Sequence, residues 1–476
     1  MNESLLKTQA YIDGQWLTTD NQFKVDNPFD NSHLADVTDC NQEQFQQAID
    51  AASNAFTHWS QTSPKYRSKL LLAWYQNILE HQDDLAHTLT LEQGKPIAEA
   101  RNEIVYGANY IKWFSEEALR INGDILQSGL DKQTQVLKLP VGVVGIITPW
   151  NFPQAMIARK VAPALAAGCT VVIKPAAETP LSALAMAELA HQIGIPKGVI
   201  NIIPTTRAKE FGKAITASKK VRKISFTGST AVGKLLLKQA ADNVQRTTME
   251  LGGNAPFIVF DDADIDAAID GLMVSKFRNS GQTCVCANRI FIHDSVYDQF
   301  AKQFVEKVKT LSVDNGLNET AKITALINPK AVSKVSDLVI KAKQQGAQVL
   351  FGGSVSPANH NIFLPTVLSD VQADMSIACE EIFGPVAPLI RFNTEQQVID
   401  LANNTDAGLA CYVFTEDRHR IRRLSHLLEF GMIAFNEGAI SNEMAPFGGV
   451  KHSGMGREGS KYGIDDYLEL KYVSVS

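Results

Sequence analysis

The stretch VGVVGIITPWNFP, residues 141–153, decides the fold. Residues 141–148 are apolar and rich in β-branched side chains, which is typical of a strand buried on both faces of a sheet. A short loop with a proline at each end follows, and the sequence then predicts a helix over 154–167 that ends at Gly168. A buried strand followed by a helix is the unit from which parallel sheets are built.

The alternation of strands and helices continues downstream. Strands are predicted at 169–173, 199–204 and 223–226, and a helical stretch follows each of them. The first of these helices has Thr179 as its expected N-cap and Pro180 in its first turn. This order favours a doubly wound parallel sheet, whose ligands bind at the carboxyl ends of the strands. We therefore expect a nucleotide-binding domain in this region.

Three further regions complete the predicted fold. A second alternating region has a strand at 256–260, a helix over 265–278 and a strand at 289–292. Residues 41–122 have helical spacing and are expected to cover the first sheet. The tail, 467–475, alternates like an exposed and unpaired strand, which favours pairing with another subunit. The predicted fold class is therefore α/β, with two doubly wound, Rossmann-like domains and a small β extension for oligomerisation, in a homodimer or homotetramer.

The composition excludes several classes of protein. The chain has 476 residues, of which 45% are hydrophobic, and no apolar run reaches the ~18 residues of a membrane span. Its 45 Lys and Arg against 51 Asp and Glu give a net charge of −6, which offers no basic surface for nucleic acid. No secretion signal and no His or Cys spacing of a metal site is recognisable. We expect a cytoplasmic protein that acts on small molecules and holds no metal.

Two glycine-rich segments suggest other classes of site. GMGREG at 454–459 fits a dinucleotide fingerprint, but no apolar strand precedes it. GSTAVGKL at 228–235, with IVFD at 258–261 after it, resembles the phosphate loop of an ATPase, but Leu235 stands where a hydroxyl must bind Mg²⁺. A P-loop ATPase is therefore the disfavoured alternative. What remains is a helix N-terminus at Ser229, which suits a pyrophosphate.

Three polar residues have surroundings that suit catalysis. Cys284 lies in the polar loop NSGQTCVC and is a candidate nucleophile, although a lone cysteine is more often a small core residue. Glu250 follows a predicted strand and is either a general base or a solvated glutamate. Asn151 lies in a rigid loop at the end of a strand and is either a donor to a developing oxyanion or a turn residue. A binding protein without catalysis is disfavoured because all three are present.

Several motifs in a fixed order resemble the aldehyde dehydrogenases over nearly the whole chain. They are TPWNFP at 148–153, FTGST at 226–230, ELGGN at 250–254, GQTC at 281–284 and EEIFGP at 380–385. Two longer segments, at 275–289 and 447–472, are similar to the succinate-semialdehyde dehydrogenase branch. The resemblance implies a cofactor-binding domain at 1–120 and 141–251, a catalytic domain at 252–448, and oligomerisation or bridging segments at 121–140 and 449–476.

The resemblance also implies a covalent mechanism. The Cys284 thiolate attacks the aldehyde, Asn151 and the Cys284 backbone N–H hold the oxyanion, and Glu250 activates water to hydrolyse the thioester. An ordinary thiol is protonated at neutral pH, so nearby cations or backbone donors are expected to favour the thiolate.

A substrate that carries both an aldehyde and a carboxylate needs cations in the site. The resemblance assigns this carboxylate to Arg159, Arg278 and Ser441, the alternative for either arginine being a surface ion pair. The expected substrate is succinate semialdehyde. Glutarate semialdehyde, or a broader range of aldehydes, is the alternative, because a pocket discriminates one methylene by only ~1 to 3 kcal/mol.

The cofactor assignment rests on six residues. The resemblance implies that the cofactor is bound by Trp150, Lys174, Ala177, Ser229, Glu381 and Phe383. NAD-restricted relatives carry a glutamate at the position of Ala177, where it repels a 2′-phosphate. We therefore expect NADP with NAD also accepted, although Glu178 restores some repulsion. Arg207 and Lys209 either bind the 2′-phosphate or are exposed cations at a helix start.

Cys286 suggests redox control. If residues 284–286 are extended, the two cysteines point the same way with Cα atoms ~6.6 Å apart, at the limit for a disulfide. Reversible oxidation and an inert neighbour both remain open.

Overall fold

The computed structural model describes residues 4–127 and 132–475. Parts of the predicted domains and bridging segments, at 1–3, 128–131 and 476, lie outside the described residues. The strands are β1 (Ala10–Ile12), β2 (Gln15–Leu17), β3 (Gln22–Asp26), β4 (His33–Thr38), β5 (Asp124–Gln127), β6 (Gln133–Pro140), β7 (Val143–Ile147), β8 (Thr170–Lys174), β9 (Ile200–Ile202), β10 (Val221–Thr227), β11 (Arg246–Glu250), β12 (Ala255–Val259), β13 (Ala287–His293), β14 (Gln348–Phe351), β15 (Thr366–Ser369), β16 (Val386–Phe392), β17 (Ala410–Phe414), β18 (Met432–Phe435), β19 (Gly454–Met455) and β20 (Leu468–Val475).

The helices alternate with these strands over most of the chain. They are α1 (Gln42–Trp59), α2 (Pro64–Glu80), α3 (Gln82–Gln93), α4 (Ile97–Glu117), α5 (Pro153–Ala167), α6 (Pro180–Gln192), α7 (Ala208–Ala217), α8 (Thr230–Ala240), α9 (Ile265–Phe277), α10 (Asp294–Val308), α11 (Pro329–Gln344), α12 (Ser376–Cys379), α13 (Glu395–Asn403) and α14 (Arg418–Leu427). None of the helices in the described ranges combines the length and apolar composition needed to cross a membrane.

The first sheet has the predicted doubly wound topology. Its order is β19-β11-β10-β7-β8-β9-β1-β2, and β7 to β11 pair in parallel. Because β7 lies between β8 and β10, the chain runs outward in both directions from the β7–β10 junction. A crevice for ligands forms at such a switch point, at the carboxyl ends of the two strands. The loops that follow β7 and β10 carry Asn151 and Ser229.

The second sheet has the order β14-β15-β16-β13-β12-β17-β18. Every neighbouring pair of strands in this order is parallel, except for the pair β14 and β15 at the edge. The predicted second α/β region is therefore confirmed. The predicted domain boundaries stay a prediction, and β19, from the predicted bridging segment 449–476, pairs with β11 of the first sheet.

Helix α1 packs against β8 of the first sheet as predicted, whereas α2 and α4 pack against α5, and α3 packs against α4 and α6, so these three form an outer layer. Helix α5 is buried along its whole length and ends at Gly168, whose φ of 98° is left-handed. The predicted cap of α6 is wrong in detail, because the Thr179 hydroxyl has no hydrogen-bond partner among the described residues. The buried carboxylate of Glu92, from α3, instead accepts the N–H groups of Leu181 and Ser182 at 2.8 Å.

The tail strand was expected to be unpaired, and the structure corrects this. Strand β20 pairs antiparallel with β6 of the same chain, from Leu468 opposite Pro140 to Val475 opposite Gln133. It forms one end of a three-stranded sheet with the order β20-β6-β5. The other edge of β20 has no partner strand within the described part of the chain. The tail is therefore an edge strand, as predicted.

Candidate active site

The predicted catalytic residues meet where the two sheets approach each other. Asn151 follows β7, and Glu250 ends β11, two strands away in the first sheet. Cys284 comes from the second region, in the loop between α9 and β13. The structure therefore brings all three to the carboxyl edge of the first sheet.

Two cavities meet at Cys284. One has a volume of about 280 Å³, and its walls include the predicted cofactor residues Trp150, Ser229, Glu381 and Phe383. The other has a volume of about 190 Å³, and its walls include the predicted substrate residues Arg159, Arg278 and Ser441. Cys284 and Met156 line both cavities. A cofactor and a substrate can therefore reach the same sulfur from two sides.

The side chain of Asn151 is held in one orientation. It is 3% exposed, and its Nδ2 donates to the carbonyl oxygen of Gln282 at 3.1 Å. Its own backbone carbonyl accepts from Lys95 Nζ at 2.8 Å and from Asn279 Nδ2 at 3.0 Å. Because an amide nitrogen carries two protons, one of them remains for an oxyanion.

The loop before Cys284 has an unusual backbone. Asn279, Ser280 and Gly281 follow one another with φ of 51°, 53° and 78°, all left-handed. Such a conformation is costly for residues other than glycine and needs support from its surroundings. Support comes from Glu99 of α4, whose carboxylate accepts the Asn279 N–H at 2.7 Å.

Burial dominates the ionisation of the two reactive groups. It raises the pKa of the Cys284 thiol to about 12, although Arg159 and Arg278 act in the opposite direction. Burial and the neighbouring Glu458 likewise raise the pKa of Glu250 well above its usual range. Nearby cations therefore favour the thiolate as expected, but desolvation of the thiol outweighs their effect.

The two arginines of the smaller cavity differ in whether a carboxylate pairs with them. Nη2 of Arg159 lies 2.6 Å from Oε2 of Glu458, which also pairs with Lys160, and all three side chains are buried. Arg278 has no ion-pair partner among the described residues; its guanidinium lies over the ring of Phe152 at 5.3 Å. Neither arginine is in a surface ion pair, and only Arg278 has no carboxylate partner.

The larger cavity fits a nicotinamide cofactor. The rings of Trp150 and Phe383 meet edge to face, 5.5 Å apart, and give it an apolar wall. Ser229 caps α8 and leaves the first N–H groups of that helix facing the β7–β10 crevice, where a pyrophosphate is favoured. Glu381 accepts the Gly253 N–H at 3.1 Å, and burial raises its pKa to about 7.

The residues predicted for the adenosine end lie outside both cavities. Lys174 ends β8 beside Ile147, and its Nζ donates to the Pro175 carbonyl at 2.8 Å. Burial lowers the pKa of Lys174 to about 8. Ala177 is partly buried and Glu178 is exposed. These residues follow the strand next to β7, whose loop carries Asn151, and their contact with the adenosine end of a cofactor stays a prediction.

The premise behind the predicted Cys284–Cys286 pair does not hold. The segment is a turn, closed by a hydrogen bond from the Cys286 N–H to the Thr283 carbonyl at 3.2 Å, and both thiols are free. The Cys286 thiol lies 3.5 Å from the Lys276 carbonyl and lines neither cavity. Oxidation of this pair stays a prediction that requires the turn to open.

Comparison with known proteins agrees with this geometry. The sequence model of the aldehyde dehydrogenase family matches residues 16–473. The chain belongs to this family. It is 50% identical over 475 residues to the glutarate-semialdehyde dehydrogenase of Pseudomonas putida, covering 99% of this chain and 98% of that protein. It is also 50% identical over 479 residues to the NADP(+) succinate-semialdehyde dehydrogenase GabD of Escherichia coli, covering 100% and 99%.

The solved structures give the same result for the fold. The succinate-semialdehyde dehydrogenase from Burkholderia pseudomallei superposes with a TM-score of 0.98 at 50% identity, covering 100% of this chain and 99% of that one. The aldehyde dehydrogenase fold predicted from the motifs is therefore confirmed.

The structure also explains the two misleading glycine motifs of this aldehyde dehydrogenase. Gly454 and Met455 form β19 and pair with the end of β11 next to Glu250, so GMGREG is no dinucleotide loop. The strand with IVFD is β12 and belongs to the second sheet, whereas GSTAVGKL follows β10 of the first. Leu235 is 47% exposed on α8. The arrangement of an ATPase phosphate site is absent from these described elements.

Several residues of the site were missed by sequence reasoning. Tyr106, Asn102 and Glu99 line the smaller cavity, and all of them lie on α4, which was expected only to cover the sheet. Lys334 of α11 lines the larger cavity, and its Nζ donates to the Glu381 carbonyl at 2.6 Å. A signal existed for α4, because Glu99 and Glu103 are one turn apart on a helix with several apolar neighbours.

Proposed function

We propose that this aldehyde dehydrogenase oxidises succinate semialdehyde to succinate, with NADP as the preferred hydride acceptor. The observation that carries the proposal is Arg278, a cation without an ion-pair partner in the described structure, in the cavity that reaches Cys284. Ser441 lines the same cavity, and its loop is held by a hydrogen bond from the Tyr110 hydroxyl to the Asn442 carbonyl at 3.0 Å. An arginine and a hydroxyl are suitable donors for a carboxylate.

In the proposed mechanism, the Cys284 thiol releases its proton to water in the cavity, and the thiolate attacks the aldehyde carbon to give a thiohemiacetal. The free proton of the Asn151 amide and the Cys284 backbone N–H hold the oxygen as it becomes negative. A nicotinamide cofactor, when bound, accepts the hydride that leaves this carbon. The ring wall of Trp150 and Phe383 and the acceptor Glu381 are proposed to orient it against the sulfur.

Glu250 is proposed to act in the second half of the reaction. The resulting thioester is hydrolysed by a water molecule from which Glu250 removes a proton. Neither carboxyl oxygen of Glu250 has a hydrogen-bond partner within the described residues, so both have lone pairs for a water molecule that enters the site. Its raised pKa makes its ionised form a stronger base than an ordinary glutamate.

The preference for NADP is proposed from Ala177 and is supported by the relative GabD, which is named for NADP. A small neutral side chain there does not repel a 2′-phosphate. Glu178 is exposed and is free to turn away from it. Arg207 begins α7 beside Asp39, which shares its charge, and Lys209 is exposed. A role for these two cations stays a prediction.

Initial rates of cofactor reduction at 340 nm test the proposal. The purified enzyme is assayed with succinate semialdehyde, glutarate semialdehyde and butanal, each with NADP and with NAD. The highest kcat/KM is expected for succinate semialdehyde with NADP. A higher value for glutarate semialdehyde would move the assignment to the activity named for the Pseudomonas putida relative, and a higher value for butanal would refute the role of a carboxylate.

We also propose that the enzyme is a homodimer or homotetramer. The sheet of β5, β6 and β20 exposes apolar side chains that a second copy would cover, namely Ile125, Leu126, Leu137, Leu470 and Tyr472. A monomeric mass in light scattering would contradict this assembly.

A further inference from the structure

The loop that carries Asn151 is attached to a buried ion pair. Lys95 lies just before α4 and Glu103 lies on it; both side chains are fully buried, with Nζ 2.5 Å from Oε2. Lys95 also donates to the Asn151 carbonyl at 2.8 Å. The second oxygen of Glu103 accepts the N–H groups of Gln154 and Ala155, at 3.0 and 3.2 Å, in the first turn of α5. One ion pair therefore holds both ends of the short segment from Asn151 to α5.

The same network reaches the nucleophile loop. Asn279 Nδ2 donates to the Asn151 carbonyl at 3.0 Å and to the Gln282 carbonyl at 3.3 Å. The Gln282 carbonyl, two residues before Cys284, also accepts from the Asn151 amide. The backbone position and the amide orientation of Asn151 are thus fixed relative to the sulfur by independent contacts.

A buried glutamate can cap a helix without a lysine partner, as Glu92 shows. Glu92 caps α6 through the N–H groups of Leu181 and Ser182, as Glu103 caps α5, and it has no ion-pair partner in the described ranges. A buried ion pair adds little stability over an apolar pair of similar volume. What distinguishes Lys95 is its second contact, the Asn151 carbonyl.

We propose that Lys95 and Glu103 are positioning residues that set the Asn151 amide at the oxygen of the Cys284 adduct. The inference rests on the proposed role of Asn151 as an oxyanion donor. A misplacement of about 1 Å in a catalytic site costs about 10²-fold in rate. Loss of the pair is therefore expected to lower kcat at least tenfold at saturating substrate and cofactor.

A double-mutant cycle tests this role. The variant Lys95→Met with Glu103→Gln removes both charges together, so that no buried charge is left unpaired, and the amide introduced by Glu103→Gln keeps an oxygen for the α5 N–H groups. We measure kcat for this pair variant, for Asn151→Ala and for their combination, with Glu92→Gln as the matched Glu→Gln change at a buried helix cap. The pair variant should lower kcat at least tenfold, but change it less than about twofold in the Asn151→Ala background. Glu92→Gln should keep kcat within about twofold, and cofactor affinity, measured by tryptophan fluorescence, should not change with the pair variant.

The outcomes separate this inference from the proposed function. Equal losses in both backgrounds would overturn the positioning role while leaving Asn151 as the oxyanion donor. An unchanged kcat in Asn151→Ala alone would refute the oxyanion assignment, and the positioning role with it. If the pair variant does not fold, Lys95→Met alone replaces it in the cycle, because it removes the Lys95 donor to the Asn151 carbonyl and leaves the contacts of Glu103 to the α5 N–H groups in place. Additive losses there would equally overturn the inference.

Discussion

Replacing Arg278 with leucine should convert this enzyme from one that prefers an anionic aldehyde into one that does not. Arg278 lines the proposed substrate cavity and has no ion-pair partner in the part of the chain that the structure describes, so its guanidinium can donate to a carboxylate, while its charge also acts on Glu99 of the same cavity. A hydrogen bond to a charged group contributes about 1.5 to 3 kcal/mol, which corresponds to about 10- to 150-fold in kcat/KM. The loss should appear with succinate semialdehyde and be less than about threefold with butanal, which has the same four carbons and no carboxylate.

Arg159 provides the matched comparison. Its guanidinium is paired with Glu458 and packs 3.8 Å from the centre of the Phe447 ring. Arg159→Leu breaks a buried pair, which typically costs about 3 to 5 kcal/mol of stability, so Tm should fall and both aldehydes should lose activity alike. Arg278→Lys, which keeps the charge without the planar fork, should lose less than Arg278→Leu. Equal losses of kcat/KM for both aldehydes in Arg278→Leu would refute the reasoning.

Three further results are expected. Because the pKa of Cys284 is about 12, the rate of its alkylation by iodoacetamide should rise about tenfold per pH unit from pH 7 to 10; a plateau near pH 8.5 would contradict its burial. Because Glu381 has a pKa of about 7, it is protonated below that pH and loses acceptor capacity, so the KM for the cofactor should rise as the pH falls from 8 to 6, and Glu381→Gln should flatten this dependence. Val244, left-handed at φ 50° and 90% exposed, should gain about 1 kcal/mol of stability as Asn, and a lower Tm would disprove the strain.

The elements whose residues are adjacent in sequence were predictable. The β-branched run at 141–148 contains β7, and the alternation after it predicted the parallel strands β8 to β10, because a strand buried on both faces needs a continuous apolar segment. The carboxyl ends of these strands predicted where Asn151 and Glu250 would lie. Cys284 was a candidate from its polar loop, and the resemblance of the motifs added its role as nucleophile; it lies in the loop between α9 and β13.

Contacts between distant parts of the chain were not predictable in this way. Thr179 has the sequence of a helix cap, but Glu92, nearly ninety positions earlier, makes the hydrogen bonds. Strand β20 finds its partner in β6, far earlier in the chain. The polar loop around Cys284 predicted a candidate nucleophile, but it did not predict the desolvation by distant parts of the chain that raises the pKa of the thiol.

The two arginines of the site, Arg159 and Arg278, have separate tasks because their partners differ. Arg159 lowers the pKa of both Cys284 and Glu250, yet its charge is shared with Glu458, which raises the pKa of Glu250. Its effect therefore falls on the ionisation of the reactive groups, whatever aldehyde is bound. Arg278 has no such partner among the described residues, so a substrate carboxylate is the group that completes its environment. A neutral aldehyde would leave that cation unpaired in the cavity, and this difference in free energy is the basis of the proposed specificity.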